Sequence, residues 1–237
     1  ELCSLKYSNN RADYNDDITF ANFRCVTTGD IGNGKLYRTA SPINNENGRA
    51  GYANDLIKSV NAATVLNLAD SKEDIEAYFE TEDFDSEYYR NLYKAGKVEA
   101  LDLAGNFFTD EFARSVAEGL SFLAHNNPPY CVHCTEGKDR AGFTSMLIAA
   151  LMGAEFEEIV DDYMLSYYNY YGIDKQTEPE RYKAVINNNL YAILYYVTGV
   201  NTYEELAQVD LESAATKYLL GAGMTENDIL MLKDKLR

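Results

Sequence analysis

Short apolar runs alternate with longer amphipathic segments along the chain from residue 36 to residue 152. The apolar runs have the length and composition of buried strands, and the amphipathic segments repeat their apolar positions with the period of a helix. The strand candidates are 36–38, 64–68, 98–103 and 130–133, and the helix candidates are 51–60, 71–80, 85–95, 109–125 and 141–152. Strands that alternate with helices indicate an α/β fold, in which a central, mostly parallel sheet is flanked by helices.

The two ends of the chain depart from this alternation. Residues 1–34 are polar and rich in turn-forming residues, which predicts an irregular leader. From residue 155 onward the pattern is helical, with candidates at 155–171, 177–196, 203–208, 211–220 and 226–236. Because no linker or repeat interrupts the chain, we expect residues 1–237 to form one domain whose C-terminal part, 155–237, is helical.

Three of the predicted helices begin at capping signals. Ser71 is followed three residues later by Asp74, and Thr177 is followed at the same distance by Glu180, which is the spacing of a capping box. Thr109 precedes two acidic residues that would lie in the first turn of its helix, where the helix dipole favours negative charge.

The composition limits the classes of partner. A chain of 237 residues that is 46% hydrophobic can bury a core of its own. Its net charge of −17 argues against nucleic acid and anionic membrane surfaces, because a protein that binds either normally presents a basic face. No apolar run is long enough to span a membrane, and Cys131 and Cys134 have no second ligand pair at zinc spacing. We therefore expect no membrane span, no metal and no cofactor, and we favour a monomer.

Four cysteines, at positions 3, 25, 131 and 134, are too few for a disulfide scaffold. Cys3 and Cys25 either pair, which export of the protein would allow, or are free buried thiols. The chain begins at Glu1 and not at methionine, which is consistent with a processed form. The compartment stays open, with a secreted or cell-envelope location favoured over the cytoplasm.

The segment H-C-T-E-G-K-D-R, residues 133–140, joins the last strand candidate to the helix candidate at 141–152. It places Cys134 in the loop before a helix, with Arg140 at the end of the same loop. A cysteine attacks as the thiolate, and the unpaired N–H groups and dipole at a helix N-terminus stabilise an anion. Because the same donors bind phosphate, the loop predicts a nucleophile at the base of a phosphate site.

The residue types inside this loop suit that chemistry. Gly137 lets the backbone curl so that successive N–H groups point inward, and Arg140 offers a planar fork for two phosphate oxygens. His133 is expected to orient the loop and tune the thiolate. The predicted phosphate ligands are Thr135, Glu136, Gly137, Lys138, Asp139 and Arg140.

This loop resembles the signature of cysteine-dependent protein-tyrosine phosphatases, and its G-K-D-R run is similar to the bacterial branch that acts on phosphotyrosine and phosphoinositides. Residues 22–24 (N-F-R), 34–40 (G-K-L-Y-R-T-A) and the ending at 215–236 are also similar to that branch. The resemblance implies a protein-tyrosine-phosphatase-like fold. It also implies hydrolysis of phosphomonoesters through a cysteinyl-phosphate intermediate, on phosphotyrosine and also on phosphoserine, phosphothreonine or phosphoinositides.

Four residues depart from the pattern of this family. Cys25 stands where the family has an aspartate after N-F-R. Ala141 replaces a serine or threonine whose hydroxyl assists departure of the thiolate, so we expect slower hydrolysis of the phosphoenzyme. Asn67 and Ala69 replace the aspartate and arginine of a strand that ends in D-L-R, so the role of that strand end does not carry over.

Phosphoryl transfer to sulfur needs an acid for the leaving oxygen and then a base for the attacking water. Asp102 follows a predicted strand, at the place where the family has a mobile acid loop, and Gly105 suits a loop that moves. Asp139 is the rival, because related bacterial phosphatases carry an aspartate at this position of the loop. We favour Asp102 and leave Asp139 open.

An acidic chain needs a local positive cleft to bind an anionic substrate. Lys138 and Arg140 are expected to contribute to it, together with Arg24 or Arg38. Lys138 also favours some activity on phosphoinositides, because a lysine in this loop accompanies recognition of additional ring phosphates. The tyrosines of segment 163–171 either line the cleft or pack in the core, and the core is favoured.

Two other classes of function compete with the phosphatase. A catalytically weak phosphate-binding module would keep Arg140 and the loop but turn over slowly, as Ala141 suggests. Cys131 and Cys134 also form a C-x-x-C motif, typical of thiol oxidoreductases, but here the second cysteine and not the first borders the helix. Cys131 is then a core thiol or a resolving partner for oxidised Cys134.

Overall fold

The computed structural model describes residues 5–237 and has the α/β fold that the sequence predicts. Its sheet has five strands: Arg24–Val26 (β1), Leu36–Thr39 (β2), Thr64–Asn67 (β3), Val98–Ala100 (β4) and Tyr130–His133 (β5). The strands lie in the order β1-β2-β5-β3-β4. β1 runs antiparallel to β2, and the other neighbours are parallel, so the sheet is mostly parallel as expected.

Helices cover both faces of this sheet. Those that precede β5 are Asp17–Phe20 (α1), Ala50–Ser59 (α2), Lys72–Tyr78 (α3), Glu87–Lys94 (α4) and Asp110–Ala124 (α5). Those that follow it are Arg140–Leu151 (α6), Phe156–Tyr171 (α7), Pro179–Val185 (α8), Tyr191–Thr198 (α9), Tyr203–Leu206 (α10), Leu211–Gly221 (α11) and Glu226–Leu236 (α12). α2, α3 and α4 pack on one face, and α5, α6 and the C-terminal helices pack on the other.

The central strands alternate between two separate cores. In β5, Tyr130 and Val132 belong to the larger core beneath α5 and α6, whereas Cys131 belongs to the smaller core beneath α2 and α4. Successive side chains of a strand point to opposite faces, and here both faces are buried. This explains why the strands appear in the sequence as continuous apolar runs, without polar alternation.

The leader is more regular than the sequence predicted. Within residues 5–34, the part of this leader that the structure describes, the chain forms α1 and then β1, which pairs with β2 along Arg24–Val26. β1 is only three residues long, which is too short to show an apolar pattern in the sequence, and its pairing with β2 stabilises it. The expectation of an irregular leader was therefore wrong for this part.

Two of the three predicted caps are present. Ser71 and Asp74 form a reciprocal capping box at α3, and the Thr109 side chain accepts from the backbone N–H of Phe112 at α5. The Thr177 box is wrong, because α8 begins at Pro179 and has no side-chain cap. The long helix predicted over 177–196 is instead interrupted by a π-helical turn at Ile186–Leu190.

Other boundaries agree with the sequence to within a few residues. The strand predicted over 98–103 ends at Ala100, although the N–H groups of Leu101 and Leu103 still donate to carbonyls at the end of β3. Within residues 5–237, no helix combines the length and the apolar character needed to cross a membrane.

Candidate active site

The loop 134–139 connects β5 to α6 at the carboxyl end of the central strand. β5 lies between β2 and β3, so the loop is surrounded by the ends of three parallel strands. Ligands of such sheets bind at this edge, beyond the carboxyl ends of the strands. Cys134 lies at the base of the loop and is only 2% exposed.

The two carbonyl groups that follow Cys134 are held outward by the surrounding scaffold. The carbonyl oxygen of Thr135 accepts from the backbone N–H of Ser41 at 3.0 Å. That of Glu136 accepts from the hydroxyl of Tyr170 at 2.6 Å and from the side-chain amide of Asn22 at 3.2 Å. Asn22 adopts a positive φ of 51°, a conformation that asparagine tolerates better than most residues.

Arg38 holds the next two carbonyl groups. Its guanidinium donates to the carbonyl oxygen of Gly137 at 2.8 Å and to that of Lys138 at 3.4 Å, and Asn22 also donates to Gly137. Four successive carbonyl groups thus face the scaffold. Within the described part of the chain, the N–H groups of residues 135–139 donate to no protein acceptor. This curl leaves them available to an anion above Cys134.

Gly137 is required by this close packing. Its φ is +69°, and a Cβ atom at this position would lie 2.2 Å from the carbonyl oxygen of Thr39 in β2. No side chain fits there, as the sequence analysis anticipated from the need for a curled backbone.

Arg140 begins α6 and reaches back across the loop. Its guanidinium donates to the hydroxyl of Thr135 at 3.1 Å and to the carbonyl oxygen of Leu103 at 2.7 Å. A guanidinium has five N–H donors, so donors remain for phosphate oxygens. Leu103 fixes the orientation of the fork from the loop that follows β4.

Arg24 and Arg38 do not line a positive cleft, contrary to expectation. Both are buried, and both pair with the carboxylate of Asp162 on α7, at 2.9 Å and 2.7 Å. Burial would by itself raise the pKa of Asp162, but the two guanidinium groups lower it to about 2. These arginines act on the site indirectly, through the loop carbonyl groups and α7.

Lys138 is paired within the protein. Its ammonium lies 3.1 Å from Glu136 and 3.8 Å from Asp139, and it donates to the hydroxyl of Tyr171 at 2.8 Å. Glu136 in turn accepts from the hydroxyl of Tyr7 at 2.6 Å. The expected positive charge of Lys138 is therefore offset locally by two carboxylates.

The tyrosines of α7 belong mainly to the core, as favoured. Tyr163, Tyr167 and Tyr170 are buried, whereas Tyr168 is 49% exposed. Tyr170 nevertheless has a role that the sequence did not indicate, because its hydroxyl anchors the loop carbonyl of Glu136.

His133 is fully buried, and burial lowers its pKa to about 3. Its ring contacts the hydroxyl of Tyr89 through Nε2 and the carbonyl oxygen of Cys134 through Nδ1, both at 3.3 Å. A neutral, buried imidazole is suited to orienting the loop, as the sequence analysis expected, and not to exchanging protons with solvent.

The two candidate acids differ in their surroundings. Asp102 is exposed at a positive φ of 48°, and its backbone N–H donates to the carbonyl oxygen of Asp70 at 3.2 Å. Asp139 stands at the N-cap of α6, yet its carboxylate makes no capping hydrogen bond and is 51% exposed. Partial burial raises the pKa of Asp139.

A cavity of about 240 Å³ opens beside Asp139. The other side chains that line it are Phe107, Phe108, Tyr163, Asn188, Asn189, Ala192 and Ile193. Two of these residues, Asn188 and Asn189, belong to the π-helical turn between α8 and α9. π-Turns of this kind frequently occur at functional sites.

The C-x-x-C cysteines point into different cores, on opposite faces of the sheet. Burial raises the pKa of Cys131 to about 12, so this thiol is unreactive. A disulfide between Cys131 and Cys134 would require β5 to unwind, which argues against the oxidoreductase and the resolving role. Cys3 lies outside the described residues, so its pairing with Cys25 stays a prediction.

Several residues that shape the site were missed by sequence reasoning. Asn22 was noticed only through the resemblance, Arg38 was expected to line a positive cleft, and Tyr170 was assigned to the core. Ser41 was not singled out. These residues bind carbonyl groups of the loop 134–139. The loop is about 100 residues away in sequence for Asn22, Arg38 and Ser41, and 34 residues away for Tyr170. A local sequence pattern cannot predict contacts of this kind.

Within residues 5–237, no group of three His, Cys, Asp or Glu side chains is arranged to hold a metal ion. The site therefore consists of a thiol, a guanidinium, a ring of backbone N–H groups and two nearby carboxylates.

Comparisons with known proteins bear on this arrangement. The model of the family described as the tyrosine phosphatase family matches residues 21–237. Among solved structures, the chain is similar to the core catalytic domain of the PP-IP phosphatase SIW14 from S. cerevisiae, in complex with citrate. That similarity has 20% sequence identity, covers 72% of this chain and 93% of that chain, and has a TM-score of 0.41. No curated protein matches the chain.

Proposed function

Because this chain belongs to the tyrosine phosphatase family, we propose that it hydrolyses phosphomonoesters through a cysteinyl-phosphate intermediate at Cys134. The observation that carries the proposal is the loop whose carbonyl groups are bound outward by Asn22, Arg38, Ser41 and Tyr170. Its N–H groups, with Arg140, form a preorganised receptor for the equatorial oxygens of a phosphoryl group.

In the first step, the thiolate of Cys134 attacks phosphorus while the bond to the ester oxygen breaks. A carboxylic acid transfers its proton to that oxygen, so the alcohol leaves neutral. In the second step, the same carboxylate takes a proton from water, which attacks phosphorus and releases the thiolate. The products are an alcohol and inorganic phosphate.

Asp139 is the acid that the geometry favours, with Asp102 as its rival. A general acid must be protonated when the substrate binds, and partial burial raises the pKa of Asp139. Its carboxylate is not used as a helix cap and borders the cavity that we assign to the leaving group. The backbone of Asp102, in contrast, is tied to the loop after β3, which opposes the swinging motion that its role would require.

The cavity beside Asp139 favours an aromatic leaving group, and phosphotyrosine is the substrate class we propose. Phe107, Phe108 and Tyr163 supply apolar and aromatic surface to a planar ring. Phosphoinositides are the second class, since Lys138 would have to leave Glu136 and Asp139 to bind an additional ring phosphate. Assays of phosphate release from phosphotyrosyl peptides and from phosphoinositide vesicles separate the two.

The first test is hydrolysis of para-nitrophenyl phosphate and its inhibition by vanadate. We expect turnover by the wild type and none by Cys134→Ser. Asp139→Asn is expected to lower kcat for this substrate and to remove the basic limb of the pH profile. If Asp102→Asn has that effect instead and Asp139→Asn does not, the assignment of the acid is wrong.

A phosphate-binding module without turnover is the second candidate, and Ala141 is the observation that favours it. In that case the wild type would release no phosphate from any ester, while the wild type and Cys134→Ser would both retain phosphopeptides. Measurable hydrolysis by the wild type excludes this candidate.

A further inference from the structure

A buried series of hydrogen-bonded side chains connects the end of β3 to the residue before the nucleophile. Asp70, Asn67, Tyr89 and His133 follow one another at hydrogen-bond distance, and all four are buried. This hydrogen-bonded series ends at Cys134, whose carbonyl oxygen lies 3.3 Å from Nδ1 of His133. None of the steps proposed above uses Asn67, Asp70 or Tyr89.

Four contacts fix the orientation of the Asn67 amide. Its oxygen accepts from the backbone N–H groups of Ala69 and Asp70, both at 3.0 Å. Its nitrogen donates to the carboxylate of Asp70 at 3.0 Å and to the hydroxyl oxygen of Tyr89 at 2.9 Å. A flipped amide would set its oxygen against the carboxylate and its NH2 group against two N–H donors, so only one orientation is compatible with these neighbours.

This orientation determines the direction of the next hydrogen bond. The hydroxyl of Tyr89 already accepts from Asn67, and it has a single proton to donate. The acceptor within reach is Nε2 of His133 at 3.3 Å. Nε2 must therefore be without a proton, and the proton of the neutral ring lies on Nδ1, from which it is donated to the carbonyl oxygen of Cys134.

We propose that Asn67 is a positioning residue for the reaction: through Tyr89 it holds His133 in the neutral tautomer whose Nδ1–H binds the carbonyl group of Cys134. This inference rests on the proposed function for its catalytic consequence, but the tautomer can be observed without turnover. The carbonyl group at the nucleophile is then held away from the incoming phosphate, like the four that follow it.

The charged and titratable groups around this hydrogen-bonded series favour the neutral imidazole ring of His133. Burial lowers the pKa of His133, and the guanidinium of Arg140 lowers it further. Around Tyr89, burial raises the pKa of the phenol, and Asp70, Cys131 and Tyr93 lie close enough to act in the same direction. Tyr89 thus keeps the proton that it donates to His133, and Cys134 contacts the ring through its carbonyl oxygen.

The protein itself offers a direct readout, because it has only two histidines. In a long-range ¹H–¹⁵N spectrum of protein labelled with [¹⁵N]histidine, we expect His133 to show a protonated Nδ1 and an unprotonated Nε2. The pattern should not change between about pH 5 and pH 8. His125, whose side chain is 59% exposed, is the other histidine and supplies the comparison signal in the same spectra.

The discriminating variant is Asn67→Asp. In this variant a carboxyl oxygen of residue 67 replaces the amide nitrogen that donates to Tyr89. If the carboxyl is protonated, its proton is donated to Asp70. In either protonation state, the oxygen therefore accepts a hydrogen bond from the Tyr89 hydroxyl. The Tyr89 hydroxyl then accepts from His133, and we expect Nε2 to gain a proton and kcat/KM to fall by up to about a hundredfold. The pH profile of kcat/KM should gain a step from His133 that the wild type lacks.

Two further variants keep the test decisive if Asn67→Asp folds poorly. Tyr89→Phe removes the hydroxyl, and we expect His133 to show a mixture of tautomers. Thr64→Val is the matched control, because Thr64 is buried in the same strand and its hydroxyl donates to the carbonyl oxygen of Asn127 at the far end of β3. This control should keep the wild-type spectrum and pH profile.

A proton on Nε2 in the wild type would overturn the inference, as would an Asn67→Asp or Tyr89→Phe protein whose spectrum and pH profile match the wild type. The expected spectrum without hydrolysis of any phosphate ester would refute the proposed function and leave the tautomer standing. Hydrolysis of phosphate esters by a protein whose His133 is protonated on Nε2 would refute the proposed tautomer and leave the proposed function standing.

Discussion

Gly137 shows how strictly single positions of the loop are determined. Gly137→Ala places a Cβ atom against the carbonyl oxygen of Thr39 at a positive φ, so we expect the free energy of unfolding to fall by more than the roughly 1–2 kcal/mol of left-handed strain. We also expect hydrolysis of para-nitrophenyl phosphate to be lost, because the N–H groups can no longer converge. Urea unfolding and steady-state kinetics measure the two effects.

Gly96 provides the matched control for this substitution. Its φ of +70° is almost the same, but a Cβ atom there would meet nothing within 4 Å. Gly96→Ala should lose about 1–2 kcal/mol of stability and keep full activity. If both variants lose activity alike, the close approach to Thr39 is not what makes Gly137 necessary.

Ala141 is the residue at which the second chemical step can be examined. Because no hydroxyl follows Arg140 to assist the departing thiolate, we expect the phosphoenzyme to accumulate. Rapid-quench measurements should then show a burst of para-nitrophenol close to the enzyme concentration. Ala141→Ser should reduce this burst and raise kcat, whereas Ala149→Ser, on the same helix, should leave the burst unchanged. A wild type without a burst would contradict the expectation.

At the scale of residues, the sequence indicated a candidate nucleophile and phosphate loop, but not the side chains that hold this loop in place. Cys134, Arg140 and Gly137 were proposed from residue type and spacing, since the roles that we propose for them depend on groups close to them in the chain. Asn67 was noticed only as a departure from the family. Its contact with Asp70 is local, but its contact with Tyr89 depends on the way α4 packs over the end of β3.

Among the elements, β1, β2 and α7 are joined by one buried ion cluster. Asp162→Asn would leave Arg24 and Arg38 buried without a counter-charge, so we expect the free energy of unfolding to fall by about 3–5 kcal/mol at neutral pH. Asp161→Asn, at the exposed neighbouring position, should change stability little. Equal losses in the two variants would show that the buried cluster is not what joins these elements.

The same cluster makes a prediction about acid. The carboxyl of Asp162 has a pKa of about 2 in the folded protein, below its ordinary value of about 3.9 in the unfolded chain. Its stabilising contribution is complete above the ordinary value and is lost as the pH falls toward 2. Urea unfolding between about pH 5 and pH 2 should show this loss in the wild type and a flatter profile in Asp162→Asn.

The elements that the sequence predicted correctly are those with a strong internal pattern. α5 follows from apolar periodicity, β5 follows from a continuous apolar run, and the Ser71 and Thr109 caps follow from local hydrogen bonds. β1 was missed because three residues give no period, and the π-helical turn at Ile186–Leu190 was missed because its asparagine run carries no periodic signal. Both depend on partners elsewhere in the fold.

For the molecule as a whole, the net charge of −17 sets the approach of an anionic substrate. Long-range repulsion is screened as the Debye length falls from about 30 Å at 0.01 M salt to about 8 Å at 0.15 M. We therefore expect alkylation of Cys134 by anionic iodoacetate to accelerate over this range, while alkylation by neutral iodoacetamide stays constant. A fall in the iodoacetate rate would instead indicate a dominant positive field at the cleft.

The outward binding of the loop carbonyl groups also has a kinetic consequence for folding. The bonds from Asn22 and Arg38 to this loop span 99 to 115 residues of sequence, so they close only after the chain has paid most of its loop entropy. Helices can form early from local contacts, but the phosphate-binding loop reaches its final conformation only when the segment that carries Asn22 and Arg38 has packed against it. In a refolding experiment, catalytic activity should therefore return after the helical circular dichroism signal.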